Sequence, residues 1–280
     1  MKKEIEIRYL ILSIIVGILL AGSLQLSAQN PSFENYSYKP DKAYFKSYWT
    51  ATKKIVTGPA RWRGKEWGIT AGVVATGIVL YIYDDDIRIF FQKYRTTELD
   101  NASKYVFEPW GNGIYPAALL GGFYIYGLAA KDNKARQVAL GGAQALILTG
   151  ISTQLIKHLT HRHRPYQDTP PNPKLWEGPF KGWEYTSFPS FHTSTAFALA
   201  SVLSSVYKDK IWVGILSYGM ATGVGLSRIY ENEHWASDVL IGAALGYAIG
   251  KTIFYVMDGK SNLSMGISNT GGISLVYHIK

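Results

Sequence analysis

Six apolar stretches, most of them about the length of a membrane span, constrain the fold of this chain more than any other feature. They are rich in Gly and Ala and cover residues 67–83, 114–130, 137–156, 189–207, 211–226 and 235–257. A helix needs ~17–25 apolar residues to cross a bilayer, and small residues let helices pack closely there. The pattern therefore predicts an all-α six-helix bundle that is transmembrane. A tightly packed soluble bundle would show the same pattern and stays open.

The first 28 residues are typical of a secretory signal peptide. Lys2, Lys3 and Arg8 form a basic start, residues 9–21 are apolar, and Ala28 ends a short segment typical of a signal peptidase site. An uncleaved anchor helix is the alternative. We therefore assign 1–28 to a signal peptide or anchor.

The remaining chain divides into three parts. Residues 29–66 are basic and aromatic, and the pattern over 41–55 predicts an amphipathic helix that lies at a membrane interface or packs on the bundle. Residues 67–258 form the helical core, and the tail 259–280 has the pattern of a short β-hairpin. Two aromatic insertions, 84–112 and 166–187, are candidates for a lid or a lipid platform.

Charge and cysteine content limit the function classes. The net charge of +9 is spread over loops and forms no nucleic-acid-binding motif. It is better suited to a membrane surface or a phosphorylated substrate. The chain has no Cys, so thiols say nothing about its compartment.

The segment from Ser227 to Asp238 contains a candidate nucleophile. His234 and Asp238 are four residues apart, and the residues from Trp235 onward predict a helix, so both side chains are expected on one face. A carboxylate bonded to one imidazole nitrogen fixes the tautomer and leaves the other nitrogen free to attack phosphorus. A helix-terminal His with an ordinary partner is the alternative interpretation.

The segment from Pro189 to His192 precedes an apolar helix, and the amides at a helix start bind anions. Ser190 offers a hydroxyl donor to a phosphate oxygen, or else caps the helix. His192 is a candidate general acid for the leaving oxygen and then a base for water.

Three cations complete the chemistry. Lys157, Arg164 and Arg228 are suited to clamp phosphate oxygens, although cations also commonly flank membrane spans. His158, His161 and His163 are expected to form a basic rim rather than a metal site, because no carboxylate set adjoins them in sequence. With antiparallel neighbouring helices, all three segments are expected at one end of the bundle.

The combined pattern K-x6-R-P, P-S-x-H and S-R-x5-H-x3-D resembles the type 2 phosphatidic acid phosphatase family, within a superfamily that includes vanadium haloperoxidases. The resemblance covers about 67–257. It implies phosphate binding by Lys157, Arg164, Ser190, Phe191 and Arg228. It also implies His234 as the nucleophile, His192 as the acid and Asp238 as the orienting partner, with no metal and no cofactor.

Phe191 departs from the family pattern, which usually has Gly between the Ser and the His. The backbone N–H can still bind phosphate if the backbone angles permit, but Phe does not readily adopt positive φ. Pocket shape and turnover therefore depend on how Phe191 is accommodated.

These observations predict a phosphoric monoester hydrolase. It would remove phosphate or pyrophosphate from an envelope lipid through a phosphohistidine, with a phosphorylated lipid and the membrane as partners and no nucleic acid. Candidate lipids are phosphatidic acid, phosphatidylglycerophosphate, undecaprenyl pyrophosphate and lipid A phosphates. The alternatives are a soluble periplasmic acid phosphatase, a vanadate-dependent haloperoxidase and an inactive lipid-binding homologue.

Loop charges predict the orientation. The short loops away from the motifs contain Lys131, Lys134, Arg136, Lys208 and Lys210. Positive loops stay in the cytoplasm, which predicts an inner-membrane protein with its site facing the periplasm. A cleaved signal would instead carry residues 29–66 across the membrane, which conflicts with six full spans in that orientation. A soluble periplasmic location is the alternative.

Overall fold

Nine α-helices make up most of residues 38–258 in the computed structural model, which describes these residues together with 263–267 and 273–277. They are α1 (Lys42–Thr57), α2 (Gly64–Lys93), α3 (Thr97–Ala102), α4 (Glu108–Gly111), α5 (Ile114–Ala129), α6 (Asn133–Thr160), α7 (Phe191–Val206), α8 (Ile211–Tyr230) and α9 (Ala236–Met257). A 3₁₀ turn (Pro59–Arg61) precedes α2, and a π-helical turn (Ser103–Phe107) joins α3 to α4. In the tail, β1 (Leu263–Ile267) pairs antiparallel with β2 (Ile273–Tyr277). The predicted signal peptide lies outside the described residues.

The predicted all-α bundle is confirmed, with one substantial change in its bounds. The first core helix was expected to end at Tyr83, before three consecutive acids. Instead α2 continues to Lys93. The reason is that Asp84 is buried and accepts hydrogen bonds from Arg162 and Ser237, so this carboxylate is a core group and not a loop signal. Much of the predicted insertion 84–112 is therefore helical.

Helix α7 is the centre of the bundle, and every residue from Thr193 to Val206 is buried. It packs on α6, α8 and α9. The contact with α9 brings the two backbones together: a Cβ added at Gly242 would lie 2.7 Å from the Ser190 carbonyl oxygen, and one at Gly246 would collide with the Ser194 backbone. Small residues on α9 thus hold the start of α7 in place.

Three of the described helices, α2, α6 and α9, are long and apolar enough to cross a membrane. Helices α5 and α7 are apolar but shorter. Large aliphatic side chains are exposed on the outer faces of the long helices, including Ile78 and Ile82 on α2 and Ile151 and Leu155 on α6. Exposure of such a contiguous apolar surface to water is unfavourable, whereas contact with lipid tails is favourable. The structure therefore supports a membrane protein.

The connections bring the motif-bearing ends together. Helix α6 ends where motif one begins, α7 starts within motif two, and motif three joins α8 to α9. Because α7 and α8 are linked by only residues 207–210, and α8 and α9 by only 231–235, consecutive helices run in opposite directions. All three motifs therefore lie at one end of the bundle, as expected.

Candidate active site

Lys157 lies in the last turn of α6 and is almost fully buried, with 2% of its surface exposed. Its ammonium donates to the backbone carbonyl of Thr186 and lies 3.4 Å from that of Ser187. The end of the loop between α6 and α7 thus lies against the C-terminal end of α6, and the Lys157 ammonium lies just before motif two.

The two arginines of the clamp are each paired with a glutamate that the sequence reasoning did not single out. Arg164 bonds Glu233, and Arg228 lies 2.8 Å from a carboxylate oxygen of Glu231. Glu231 is itself fixed by a hydrogen bond from Ser103 in the π-helical turn. Both glutamates belong to motif three, so an acid-rich stretch between Arg228 and His234 was the available signal.

The cations converge on the two histidines. The positive charges of Arg228, Arg164 and Lys157 all act on His192. Those of Lys157 and Arg164 also act on His234. The structure thus brings together the three predicted cations and both predicted histidines, which lie far apart in sequence.

Ser190 is the N-cap residue of α7, but its side chain makes no capping bond. Its Oγ accepts a 2.9 Å hydrogen bond from Thr193, and its backbone N–H donates to the Asp238 carbonyl at 3.1 Å. The simple capping alternative is therefore wrong. The Ser190 hydroxyl hydrogen keeps its capacity to donate to a phosphate oxygen.

Phe191 is the first helical residue of α7 and does not have positive φ. Its ring packs over Gly150 of α6, where an added Cβ would lie 3.4 Å from the ring. A backbone N–H in the first turn of a helix has no intrahelical partner. Phe therefore fits this position without strain, and its N–H is placed where a helix binds anions.

His192 packs against the short helix α4. A Cβ added at Gly111 would lie 2.6 Å from the His192 ring carbon Cδ2 and 2.7 Å from its Cβ. Thr195 reinforces this contact by donating to the Gly111 carbonyl at 3.0 Å. Gly111 is required here because any larger residue would displace the candidate acid.

The direct hydrogen bond expected between His234 and Asp238 is replaced by a relay through Ser187. His234 Nδ1 lies 3.8 Å from Asp238 Oδ2, which is too long for a hydrogen bond. The Ser187 hydroxyl donates to Asp238 Oδ2 at 2.6 Å and lies 3.4 Å from His234 Nδ1. An imidazole N–H at Nδ1 can donate to Ser187, which leaves Nε2 free of a hydrogen-bond partner within this relay. Sequence reasoning missed Ser187, three residues before the motif serine.

Arg162 anchors the other side of Asp238 and was also missed. This fully buried guanidinium donates to Asp238 Oδ1 at 2.5 Å and to Asp84 Oδ2 at 2.7 Å. It also lies over the rings of Tyr81, Trp176 and Trp235, with centroid distances of 4.9–5.6 Å. Because a buried charge is costly unless paired, this network fixes the carboxylate behind the nucleophile. Nothing local in sequence connects Asp84 to Arg162.

Burial is the largest influence on His234. It lowers the pKa of this histidine well below its ordinary 6.5, and the charges of Lys157 and Arg164 act in the same direction, against Asp238. The imidazole is therefore neutral at neutral pH, as a nucleophile must be.

The neighbouring histidines have structural partners. His161 Nδ1 lies 2.8 Å from the Glu184 carbonyl. His163 stacks on Tyr185 and lies between the carboxylates of Asp168 and Glu177. Within the described residues, no group of three or more His, Cys, Asp or Glu side chains is arranged to hold a metal ion.

Comparisons with known proteins point to one family. The PAP2 superfamily matches residues 139–261, which include all three motifs. Lipid A 1-phosphatase of Porphyromonas gingivalis is 29% identical over 190 residues, 66% of this chain and 37% of that protein, so the match spans little more than a third of that relative. Among solved structures, Aquifex aeolicus LpxE is 22% identical with a TM-score of 0.43, covering 61% of this chain and 93% of LpxE.

The match to a further relative covers most of that relative's own length. Decaprenylphosphoryl-5-phosphoribose phosphatase of Mycobacterium tuberculosis is 30% identical over 137 residues, which cover 49% of this chain and 70% of that protein. Since the matched PAP2 region contains the clustered lysine, arginines, histidines and aspartate of the site, this chain is a member of the PAP2 superfamily.

Proposed function

We propose that this protein is a metal-independent phosphatase that removes phosphate or pyrophosphate from a phosphorylated envelope lipid through a phosphohistidine intermediate. The observation that carries the proposal is that Lys157 and Arg164 act on both His192 and His234, that Arg228 also acts on His192, and that His234 is buried. Phosphoryl transfer needs mainly positioning and charge stabilisation, and this arrangement provides both.

In the first step, His234 Nε2 attacks phosphorus and the bond from phosphorus to the lipid oxygen breaks. His192 enters this step as the imidazolium, which the negative charge of the bound phosphate ester favours against the surrounding cations, and it protonates that departing oxygen. Lys157, Arg164 and Arg228 neutralise the phosphoryl oxygens. The Ser187 relay to Asp238 stabilises the positive charge that develops on the imidazole. In the second step, His192 takes a proton from water, whose oxygen attacks phosphorus. The bond from phosphorus to nitrogen breaks, and inorganic phosphate is released.

Two observations support a lipid substrate. The site lies at the end of a bundle whose long helices expose aliphatic surface, so a membrane-embedded phosphate ester can reach it without leaving the bilayer. The relatives above are also named for phosphatase activity on lipid A and on a decaprenyl phosphate lipid. The family resemblance does not choose among the candidate lipids.

The test is phosphate release by the detergent-solubilised protein with EDTA present, on lipid phosphates and on p-nitrophenyl phosphate. We expect wild type to release phosphate from lipid and His234→Ala to release none. His158→Ala is the matched control, since the ring of this neighbouring histidine contacts Trp183 edge-on and lies beside His161, and among the described residues no side-chain contact joins it to the site residues. Labelling with a ³²P substrate should trap an acid-labile phosphoenzyme in wild type and not in His234→Ala.

Other outcomes would identify the alternatives. Release from the soluble ester alone would indicate a non-specific acid phosphatase, and halide oxidation that requires vanadate would indicate a haloperoxidase. Phosphate binding without turnover would indicate an inactive homologue. In that case, binding without turnover that stays unchanged in Phe191→Gly would support an inactive homologue, whereas turnover gained in Phe191→Gly would show that Phe191 alone blocks the reaction.

We also propose that the site faces the periplasm, because the loops at the opposite end and the adjoining first turn of α6 contain Lys131 and Lys210 among five basic residues. The chain has no Cys, so single cysteines are clean probes. A cysteine at Phe180, which is 87% exposed in the loop beside the site, should react with an impermeant maleimide from the periplasm. A cysteine at Lys210 should react only after the inner membrane is opened, and the reverse pattern would contradict the orientation.

A further inference from the structure

Helix α1 has three distinct faces, and one of them packs on the rest of the chain within the part that the structure describes. The contacting face includes Tyr44, whose hydroxyl donates to the Leu140 carbonyl at 3.1 Å, and Ser47, whose Oγ lies 3.3 Å from Gln144. Ala51 on the same face is fully buried. Through these residues α1 packs on α6 and α9.

The second face is an apolar row exposed to the surroundings. Phe45, Trp49 and Val56 are 62%, 72% and 73% exposed. At about 100° per residue, these three side chains fall within roughly 40° of one another around the helix. They form a narrow stripe that no other described residue covers.

The third face is a row of lysines with the same spacing. Lys42, Lys46 and Lys53 are exposed and follow one another by four and seven residues, as the apolar side chains do. The lysine row is turned about 60° from the apolar row and points roughly opposite to Tyr44. Lysines can keep their charge in water while their stems cover apolar surface.

The position of α1 relates these faces to the membrane. Leu140 lies seventeen residues before Lys157 on α6, which places it about 25 Å along the helix from the site. Helix α2 starts at Gly64, twenty residues before the site-end Asp84, so about 30 Å away. The Tyr44 end of α1 and the start of α2 are therefore at the end of the bundle opposite to the site, and residues 58–63 join α1 to α2 there.

The end of the bundle that contains α1 has more basic than acidic side chains. Arg61, Arg63 and Lys65 follow α1, and the two loops that share this end, together with the first turn of α6, contribute five more basic residues. Anionic headgroups attract such clusters. An apolar row beside a lysine row is the arrangement of helices that lie in the interface plane.

We infer that α1 is an interfacial helix that binds the anionic leaflet on the side of the membrane opposite to the active site. The side chains of Phe45, Trp49 and Val56 insert at the boundary between the headgroups and the acyl chains. There they extend the lipid-facing surface of the membrane-spanning helices. Lys42, Lys46 and Lys53 contact lipid phosphates. This role is independent of catalysis, since no residue of α1 belongs to the site.

The absence of Cys allows a direct test by spin labelling of single-cysteine variants in nanodiscs. Labels at Phe45→Cys and Val56→Cys report the apolar row, and Lys53→Cys reports the lysine row. Ile151→Cys, on the exposed outer face of α6, and Lys210→Cys, in a loop, are the deep and aqueous references. The measured quantity is the ratio of each label's accessibility to oxygen over its accessibility to a water-soluble nickel complex. We expect this ratio to exceed one at positions 45 and 56, as at 151, and to be lower at position 53.

Lipid charge gives the second readout. With anionic lipid the labels at 45 and 56 should be deeper and less mobile than in zwitterionic nanodiscs. Replacing Lys42, Lys46 and Lys53 by Gln should remove this difference without changing turnover of a soluble ester. Equal nickel accessibility at 45, 56 and 210 would overturn the inference in favour of a solvated helix. Protection of the labels at 45 and 56 from both oxygen and the nickel complex, together with a short measured distance between labels on two copies of the chain, would overturn the inference in favour of a dimer contact.

Discussion

Replacement of Ser187 by Ala tests the relay between the nucleophile and its carboxylate. The Ser187 hydroxyl lies between His234 and Asp238, which are 3.8 Å apart at their nearest paired atoms. Removing it leaves Nδ1 of His234 without an acceptor when positive charge develops on the ring. A hydrogen bond to a charged group contributes about 1.5–3 kcal/mol, which corresponds to a roughly 10- to 150-fold lower kcat.

The assay is kcat for p-nitrophenyl phosphate and for a lipid phosphate, measured on protein that elutes as folded in detergent. Ser187→Thr keeps the hydroxyl and should restore much of the activity, which a purely structural role would not require. A double-mutant cycle with Asp238→Asn adds a sharper criterion. If both residues act on His234 through one relay, the double variant should be little worse than Asp238→Asn alone. Wild-type kcat in Ser187→Ala, or fully additive losses, would refute the relay.

Three further predictions test the surroundings of the site. Gly111→Ala should destabilise the fold by about 1–3 kcal/mol through overpacking and displace His192, so turnover should fall more for substrates with poor leaving groups than for those with good ones. Gly121→Ala is the neutral control, because nothing lies within 4 Å of its added Cβ. Equal losses on both kinds of substrate would contradict the role of His192 as the acid. Because burial lowers the pKa of His234 well below 6.5, the acid limb of kcat/KM should appear only as the pH falls through that lowered pKa, and an acid limb at or above 6.5 would contradict this. Loss of the proton from His192 is a separate effect and lowers kcat/KM on the alkaline side of the profile. Arg162→Met would leave two buried carboxylates unpaired, which should cost about 3–5 kcal/mol, and an unchanged melting temperature would show that the network does not support the fold.

Much of the fold could be predicted from the sequence because the apolar runs are long. The helix predicted over 211–226 is observed as Ile211–Tyr230, and that over 235–257 as Ala236–Met257. The meeting of the motifs at one end also followed from short connections between antiparallel helices. These features are local, so local patterns were sufficient.

The parts that could not be predicted depend on partners distant in sequence. Three consecutive acids normally indicate a loop, and only Arg162, 78 residues away, makes Asp84 a core residue. The same applies to Ser187, which is an unremarkable loop serine until the fold places it beside Asp238, 51 residues further on. Pairs of this kind have no periodicity that a single sequence can show.

The spacing of His234 and Asp238 brings the two side chains together, but at 3.8 Å instead of hydrogen-bond distance. Residues four apart face each other only if both are helical, but α9 begins at Ala236 and His234 lies outside it. Asp238 is the third helical residue, and its Oδ2 accepts a 3.0 Å bond from the backbone of Trp235. The carboxylate therefore caps the helix and stays short of the imidazole. A third group is needed to connect them, and Ser187, held by the loop that precedes α7, occupies that position. The nucleophile's environment is thus built jointly by two motifs, which explains why neither motif alone specifies it.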